Sequence, residues 1–284
     1  MNEEQDIHAP EESRVRFEEM NLSAPILQAV EKAGYENPSP IQERAIPPLL
    51  EGSDLLGVAQ TGTGKTAAFS LPILDVLYDD PQNIRPRTAR ALVLTPTREL
   101  ANQVGESLRT YGKYMDIYHA LVYGGVGQGP QVSAMRRGVD ILVACPGRLL
   151  DLVEQGHIDL SDVEFFVLDE VDRMLDMGFQ KDVTRIVDLL PRERQSLFFS
   201  ATMSKQITSL AQTILQDPVT IAIEPEKTTA EDVRQELCFL DRSDKRSLLV
   251  RRLKQQDEGE LSIVFARTKH GSDKLARFLN QKDV

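Results

Sequence analysis

The residues whose types and spacing best suit chemistry lie in one glycine-rich segment, AQTGTGKT, from Ala59 to Thr66. It follows the apolar run LLGV and opens a helical pattern. In a phosphate-binding loop, Gly62 and Gly64 let the backbone N–H groups approach the phosphates, Lys65 reaches the outer phosphates, and the Thr66 hydroxyl is a ligand of Mg²⁺. The strict pattern has glycine in place of Ala59, so this is a variant loop. A glycine-rich turn with a chance lysine is disfavoured, because strand, turn and helix all fall where phosphate binding needs them.

A second segment, FFVLDEVD at 165–172, is an apolar run that ends in acids. A buried parallel strand of this kind places Asp169 at the carboxyl edge of the sheet, facing the phosphates. Asp169 would hold the metal, partly through water, and Glu170 would orient and deprotonate the attacking water. By itself this pattern also fits an exposed acidic strand end. Together with the loop, it predicts a nucleoside-triphosphate hydrolase whose catalytic residues are Lys65, Asp169 and Glu170.

Short apolar runs alternate with helical patterns along the chain, and they predict the elements that position these residues. The predicted strands are 55–59, 89–95, 119–124, 140–146, 163–170, 194–201 and 219–223. Helical patterns lie between them, for example at 64–78 and 99–115. Nearly all-apolar strands that alternate with helices predict an α/β fold with a doubly wound parallel sheet.

Changes in composition along the chain predict its domain organisation. Residues 1–15 are polar and aperiodic and predict a disordered acidic tail, and residues 16–223 form the first domain. The charged segment 224–233 lacks an apolar pattern and is interpreted as a linker. After it, 233–240 and 261–267 are predicted strands, and 244–256 and 271–282 are predicted helices. Two strand–helix units do not close a sheet, so 234–284 is either the start of an incomplete second domain or a segment that packs on a partner.

Composition excludes several classes of protein. A hydrophobic fraction of 41% and a charged fraction of 27% are typical of a soluble globular protein, and no membrane segment or signal peptide is evident. A cytoplasmic location is therefore expected. Two cysteines and four histidines, widely spaced, indicate neither a disulfide framework nor a zinc site. The net charge of −11 gives no support for a nucleic-acid partner.

Taken together, the motifs resemble those of the DEAD-box ATP-dependent RNA helicases, over the N-terminal portion of that family. The resemblance implies a RecA-like P-loop fold with ATP and Mg²⁺ as cofactors. GYENPSPIQ at 34–42 is similar to the adenine-reading element, in which Gln42 hydrogen-bonds the adenine edge and Phe17 stacks on the base. Without the resemblance, Phe17 would be a core aromatic and Gln42 a helix cap. The residues that the resemblance assigns to ATP are Phe17, Tyr35, Gln42, Ala59, Gln60, Thr61, Gly62, Thr63, Gly64, Lys65 and Thr66.

Three further segments resemble the family's RNA-binding elements: PTRELA at 96–101, the glycine pair at 124–125 and CPGR at 145–148. The residues assigned to RNA are Pro96, Thr97, Arg98, Gly124, Gly125, Pro146, Gly147 and Arg148. Such elements contact phosphate and 2′-OH groups, which implies little sequence preference. Each arginine also fits a surface salt bridge, and the two glycines also fit a simple turn.

The SAT segment at 200–202 resembles the element that couples ATP state to RNA binding, with Ser200 or Thr202 bonded to Asp172. IVFARTKHG at 263–271 resembles the first motif of the second domain. The residue sequences of LFFSATM and of this last segment are most similar to the bacterial RhlE-type branch of the family. Two positions depart from the family pattern. Val171 replaces the usual alanine, and ATP chemistry is expected to survive it if its bulk packs. Cys145 replaces the usual threonine, which would weaken one RNA contact and favours a buried structural role for this side chain.

The resemblance implies an RNA-stimulated ATPase that remodels RNA duplexes or RNA–protein complexes. Because the family's arginine fingers lie in motifs beyond about Phe278, the chain is expected to bind ATP and RNA better than it turns ATP over. One alternative is a non-hydrolysing ATP- or RNA-binding module, or a competitor of a full-length helicase. Another alternative is a different P-loop enzyme, such as a DNA translocase or a small-molecule kinase. Phe17, Gln42 and the SAT segment disfavour this alternative.

Overall fold

The computed structural model describes residues 15–223, 236–241, 243–257 and 259–282. The chain divides into two units, residues 1–226 and residues 227–284, and each is described by itself. The predicted linker 224–233 lies outside the described residues, as does the predicted tail except for its last residue.

The first unit begins with a 3-10 helix at Phe17–Met20 and continues with nine helices and seven strands over its described part. The helices are α1 (Ala24–Lys32), α2 (Pro40–Leu50), α3 (Lys65–Asp79), α4 (Arg98–Tyr111), α5 (Gly129–Met135), α6 (Pro146–Glu154), α7 (Val171–Asp176), α8 (Gln180–Leu189) and α9 (Lys205–Ile214). The strands are β1 (Leu55–Val58), β2 (Ala89–Leu94), β3 (His119–Val122), β4 (Val139–Ala144), β5 (Phe165–Leu168), β6 (Gln195–Ser200) and β7 (Val219–Ala222). Among the described residues, no helix is long and apolar enough to cross a bilayer.

All seven strands form one parallel sheet in the order β3-β4-β2-β5-β6-β1-β7. Side chains alternate between its two faces, and each face carries its own hydrophobic cluster. On β2, Val93 packs in the cluster that includes residues of α1, α2, α3 and α4, whereas Leu92 packs in the cluster that includes residues of α6, α8 and α9. Helices therefore cover both faces, and the predicted doubly wound parallel sheet is confirmed. Each of the seven strands overlaps a predicted one.

Local sequence explains how α4 begins and how closely it packs. The Thr97 hydroxyl accepts a hydrogen bond from the N–H of Leu100 and so caps the helix. Further along, a Cβ atom at Gly105 would lie 2.9 Å from a methyl group of Leu121 on β3. Because Gly105 has no Cβ atom, the α4 backbone lies directly against the edge strand β3.

The second unit contains two helices in its described part, α10 (Lys245–Lys254) and α11 (Lys269–Asn280), which confirms both predicted helices. The two predicted strands are wrong over their described residues, since 236–240 and 261–266 form no ladder. Their apolar residues are exposed: Phe239 is 88% and Phe265 is 93% exposed. A strand needs a neighbouring strand to bond its backbone, and none pairs with these segments in the described residues.

Candidate functional site

The sheet order gathers the predicted functional segments at one edge. In a parallel sheet all carboxyl ends lie at the same edge, where α/β proteins bind their ligands. The strands β5, β6 and β1 are neighbours, and they lead into the acid pair, the SAT segment and the glycine-rich loop. The strands β3, β4 and β2 are neighbours as well, and they lead into the glycine pair, CPGR and PTRELA. The edge therefore has a predicted ATP half and a predicted RNA half, which meet between β2 and β5.

Two side chains of the segment before β1 bind the glycine-rich loop. The Ser39 hydroxyl donates to the carbonyl of Thr63 at 2.7 Å, and Nε2 of Gln42 donates to the carbonyl of Gly64 at 3.1 Å. Gly64 has φ +94°, and a Cβ atom there would lie 2.4 Å from Nε2 of Gln42. Glycine at this position therefore satisfies both the left-handed backbone and the close approach of α2.

Gln42 is buried and also caps its own helix. Its Oε1 accepts the N–H of Ser39 at 2.9 Å in a capping box at the start of α2. A primary amide has two N–H donors and two acceptor lone pairs. Gln42 uses one of each within the protein, so one donor and one acceptor remain. These are the two groups that the adenine edge requires.

A buried lysine and a buried acid lie at the phosphate end. The Lys65 ammonium donates to the carbonyl of Ala59 at 2.7 Å, and a carboxylate oxygen of Asp169 accepts the N–H of Glu170 at 3.0 Å. Burial raises the pKa of Asp169 to about 6, with a further upward contribution from Glu170 and an opposing one from Lys65. A bound cation would favour the ionised form of Asp169.

The residues present fit a Mg²⁺ ion that arrives with a nucleotide. Thr66 and Asp169 line one cavity and supply a hydroxyl and a carboxylate oxygen. Mg²⁺ is commonly held by one or two carboxylates together with substrate phosphates and water. No cluster of three or more metal-binding His, Cys, Asp or Glu side chains occurs in the described part of the chain. The geometry thus suits a metal shared with phosphate rather than a metal held by the protein alone.

Glu170 has an unusual backbone conformation and two side-chain partners. Its φ of 53° lies in the left-handed region, which is strained for a residue with a side chain and is often found at functional sites. One carboxylate oxygen accepts from the Thr61 hydroxyl at 3.3 Å, and the other accepts from the Arg173 guanidinium at 3.2 Å. The phosphate loop and the acid pair are therefore in direct contact. Sequence reasoning did not single out Arg173.

These groups line a cavity of about 410 Å³ whose other wall is α4. The predicted residues on its lining are Tyr35, Gln42, Thr61, Gly62, Gly64, Lys65, Thr66, Asp169 and Glu170, and α4 contributes Leu100, Gln103, Val104, Ser107 and Tyr111. Sequence analysis predicted α4 but not its place in the cavity, because that place depends on how α3 and α4 pack. The rings of Tyr35 and Tyr111 are 6.3 Å apart, and burial together with Tyr35 raises the pKa of Tyr111.

Phe17 does not line this cavity in the structure. It is 4% exposed and packs in the hydrophobic cluster with Met20 and Ile26.

A larger cavity, about 880 Å³, lies at the opposite edge of the sheet, where β3 and β4 begin, and its lining includes Tyr118, His119 and Asp140. None of the predicted site residues lines it, so its size does not make it the better candidate for catalysis.

The SAT segment contacts the acid pair's helix through one of its two predicted side chains. Asp172 accepts from the Thr202 hydroxyl at 3.3 Å and from the N–H of Ala201 at 3.2 Å. The Ser200 hydroxyl instead donates to the carbonyl of Thr202 at 2.8 Å. Of the two predicted side chains, Thr202 is thus the one that contacts Asp172, and Ser200 bonds within the turn that presents it.

On the other half of the edge, four of the eight predicted RNA-binding residues are exposed. The Arg98 side chain is 49% exposed, lies 3.9 Å from Glu99 and has its guanidinium 6.0 Å from the centre of the Tyr123 ring. The Arg148 side chain is 17% exposed, donates to the carbonyl of Val126 at 3.2 Å and lies 3.5 Å from a carboxylate oxygen of Asp151. The exposed backbone residues are Gly124, Gly125 and Gly147, whereas Pro96 and Pro146 are buried. Arg98 is therefore the freer of the two arginines, whereas Arg148 already has a carbonyl and a carboxylate partner.

The two departures from the family pattern are both buried. Val171 is 0% exposed and packs in the hydrophobic cluster beneath α7, so its extra bulk is accommodated. Cys145 is 9% exposed, with its sulfur 4.0 Å from the Thr95 hydroxyl, and burial raises the pKa of its thiol. Both observations agree with structural roles for these side chains.

Comparison with known proteins adds an independent line of evidence. The sequence profile of the family described as DEAD/DEAH box helicase matches residues 39–210. The chain is 42% identical over 267 residues to the DEAD-box ATP-dependent RNA helicase RhpA of Helicobacter pylori, covering 94% of this chain and 53% of that protein. It is 42% identical over 271 residues to the ATP-dependent RNA helicase DeaD of Escherichia coli K12, covering 95% of this chain and 42% of that protein.

A solved structure is similar as well. The crystal structure of a DEAD box protein from the hyperthermophile Methanococcus jannaschii superposes with a TM-score of 0.69 at 34% identity, covering 94% of this chain and 70% of that chain. The chain spans about half the length of the curated relatives that it matches.

Proposed function

The chain belongs to the DEAD/DEAH box helicase family, and on that premise we propose that it is part of an ATP-dependent RNA helicase. Such an enzyme is an RNA-stimulated ATPase that remodels RNA duplexes or RNA–protein complexes. The observation that carries the proposal is the division of one sheet edge into two adjacent halves. One half has the buried charges that nucleotide chemistry needs, and the other has the exposed Arg98, the half-buried Arg148 and exposed glycines.

In the ATP half, Lys65 leaves its bond to the Ala59 carbonyl and binds the outer phosphates. Thr66 and Asp169 would hold Mg²⁺, which would offset phosphate charge and polarise the bond to be broken. Glu170 orients the attacking water and takes its proton. The contact of Glu170 with Thr61 supports this role, because it places the acid directly against the phosphate loop.

In the RNA half, Arg98 and Arg148 bind phosphates, and the backbone N–H groups of the exposed glycines bind phosphate or 2′-OH oxygens. These contacts read no base edges, so little sequence preference is expected. The net charge of −11 means that RNA binding depends on this local strip rather than on the charge of the whole chain. Contacts from Asp172 to Thr202 and Ala201 link the acid pair to the next strand end and support a coupling role.

The 284-residue chain by itself is proposed to bind ATP more readily than it hydrolyses ATP. In P-loop enzymes an arginine finger contributes roughly 10³–10⁵ in rate. No arginine lines the nucleotide cavity in the described part of this chain. A non-hydrolysing ATP- or RNA-binding module is the alternative function, and it differs from the leading one by having no turnover that depends on Glu170.

The test is ATP hydrolysis under single-turnover conditions, with protein in excess, in the presence and absence of single-stranded RNA. Glu170→Gln removes the base but keeps a side chain of the same shape. We expect slow hydrolysis that RNA accelerates in the wild-type chain, none in the variant, and ATP affinity within about threefold in both. Equal rates for the wild type and the variant would contradict hydrolysis at this site, and loss of ATP binding in the variant would make Glu170 structural.

A further inference from the structure

The short helix α7 carries an arginine that bonds the acid at its own N-terminus. Glu170 caps α7, and Arg173 follows it by three residues, which places both side chains on one face of the first turn. Nη1 of Arg173 donates to Oε2 of Glu170 at 3.2 Å. Oε1 of the same carboxylate accepts from the Thr61 hydroxyl at 3.3 Å. The two oxygens of Glu170 therefore have different partners, one on the phosphate loop and one on α7.

The burial of the two side chains shows from which side the arginine approaches. The Glu170 side chain is 10% exposed and lines the nucleotide cavity, whereas the Arg173 side chain is 55% exposed and does not line it. Arg173 therefore bonds Glu170 from outside the cavity. Because Oε2 is held from that side, Oε1 is the oxygen that points to the phosphate loop.

A second arginine–glutamate pair of the chain shows what an ordinary surface pair looks like. Arg185 on α8 bonds Glu154 on α6, and their side chains are 58% and 62% exposed. Neither residue lines the nucleotide cavity. A pair of this kind contributes little to stability. The pair formed by Arg173 differs from it in one respect, because its carboxylate is almost buried and belongs to the proposed catalytic site.

Orientation matters for a glutamate that acts as a base. The Glu170 side chain has several rotatable bonds, and a base must lie within hydrogen-bond reach of the proton that it takes. A hydrogen bond from a charged donor fixes the direction of a carboxylate more firmly than a neutral one does. Among the described residues, the Arg173 guanidinium has no other hydrogen-bond or ion-pair partner.

We propose that Arg173 is a positioning residue for ATP hydrolysis, which holds Oε2 of Glu170 so that Oε1 faces the attacking water. This inference rests on the proposed function. Oε1 takes a proton from the water while the water oxygen bonds the terminal phosphorus, and ADP leaves with the electrons of the phosphorus–oxygen bond that breaks. Arg173 touches neither the water nor the phosphates, and it acts only through Glu170.

The experiment is single-turnover ATP hydrolysis by the 284-residue chain with Mg²⁺ and single-stranded RNA. Arg173→Met removes the charge and keeps a long side chain, whereas Arg173→Lys keeps a charged donor. Arg185→Met is the matched control, because it removes an arginine of similar exposure that bonds a glutamate outside the cavity. Calorimetric titration with a non-hydrolysable ATP analogue measures affinity, and thermal unfolding measures stability.

Arg173→Met is expected to slow hydrolysis by about tenfold to a hundredfold, since a small misplacement of a catalytic group has an effect of this size. Its affinity for the analogue should stay within about threefold of wild type, because the bond acts on the chemical step. Arg173→Lys should recover part of the rate, and Arg185→Met should hydrolyse ATP as wild type does.

Two results would overturn the positioning role while hydrolysis by the chain still stands. One is a wild-type rate in Arg173→Met. The other is a slow rate that Arg173→Lys does not improve and that comes with an equal loss of analogue affinity and a lower unfolding temperature, which would make Arg173 structural. A wild-type chain that binds the analogue but hydrolyses no ATP would overturn hydrolysis at this site together with this inference.

Discussion

At the scale of single residues, Gln42 shows how one side chain serves both the fold and the proposed site. Its amide caps α2 through Ser39 and fixes the phosphate loop through the Gly64 carbonyl. The sequence left two interpretations open, a helix cap or an adenine reader. The structure shows the cap, and the unused donor and acceptor leave the adenine-reading role as a prediction.

Replacing Gln42 by alanine should therefore have two effects. The free energy of unfolding should fall by about 1 kcal/mol because the capping box is lost, and ATP affinity should fall relative to GTP because the adenine edge loses its partner. Ser39→Ala is the matched control, since it removes the cap but leaves the amide. Competition binding of ATP and GTP measures the preference; the same purine preference in Gln42→Ala and wild type would remove the adenine-reading role.

Asp169 gives a prediction about pH. Its pKa is raised from 3.8 to about 6, chiefly by burial, so between pH 4 and 6 the folded chain binds more protons than the unfolded chain. The contribution of Asp169 to stability therefore falls as pH rises through this window. Asp169→Asn lacks this titration, so its free energy of unfolding relative to wild type should rise between pH 4 and 7, on the order of 1–3 kcal/mol. Urea unfolding in metal-free buffer at several pH values measures this difference, and a pH-independent difference would show that folding does not raise the pKa of Asp169.

At the scale of elements, the contact between α2 and the phosphate loop depends on glycine at position 64, Gly64. A side chain there would collide with both Gln42 and Ser39, whereas Gly62 has a similar positive φ and no atom within 4 Å of its virtual Cβ. An alanine at Gly62 would thus meet backbone strain alone, whereas an alanine at Gly64 would meet backbone strain and steric contact together.

Gly62→Ala should cost about 1 kcal/mol in the free energy of unfolding, from left-handed strain alone. Gly64→Ala should cost about 2 kcal/mol or more, because it also displaces the hydrogen bonds of Gln42 and Ser39. Chemical denaturation of the nucleotide-free chain compares the two variants. Equal losses would show that the contact between α2 and the loop contributes nothing to stability.

The elements also show where sequence reasoning is sufficient. The seven strands of the first unit and α10 and α11 follow from apolar runs and helical periodicity, which are local signals. The predicted strands around Phe239 and Phe265 do not form, because strand formation depends on pairing that a local pattern cannot supply. Likewise, the glycine-rich loop and the acid pair were recognisable from residue type and spacing. The contact of Arg173 with Glu170 and the place of α4 in the cavity depend on tertiary packing and carried no sequence signal. The RhlE-type assignment stays a prediction.

At the scale of the whole molecule, the parallel sheet explains why residues far apart in sequence form one functional edge. The order β3-β4-β2-β5-β6-β1 places the predicted RNA contacts on one side of the β2–β5 boundary and the predicted ATP contacts on the other. α4 belongs to both halves, since it begins at Arg98 and lines the nucleotide cavity through Ser107. The two predicted sites are therefore adjacent.

The most direct measurement of this arrangement is hydrogen exchange of the 284-residue chain, followed by mass spectrometry, with Mg²⁺ and ATP and separately with single-stranded RNA. ATP is predicted to slow exchange at 59–66 and 169–172. RNA is predicted to slow exchange at 97–98, 124–125 and 147–148, while 116–119 and 137–140 at the opposite edge of the sheet stay unchanged. Protection by RNA at the opposite edge, or protection by ATP that leaves 59–66 unaffected, would contradict the account.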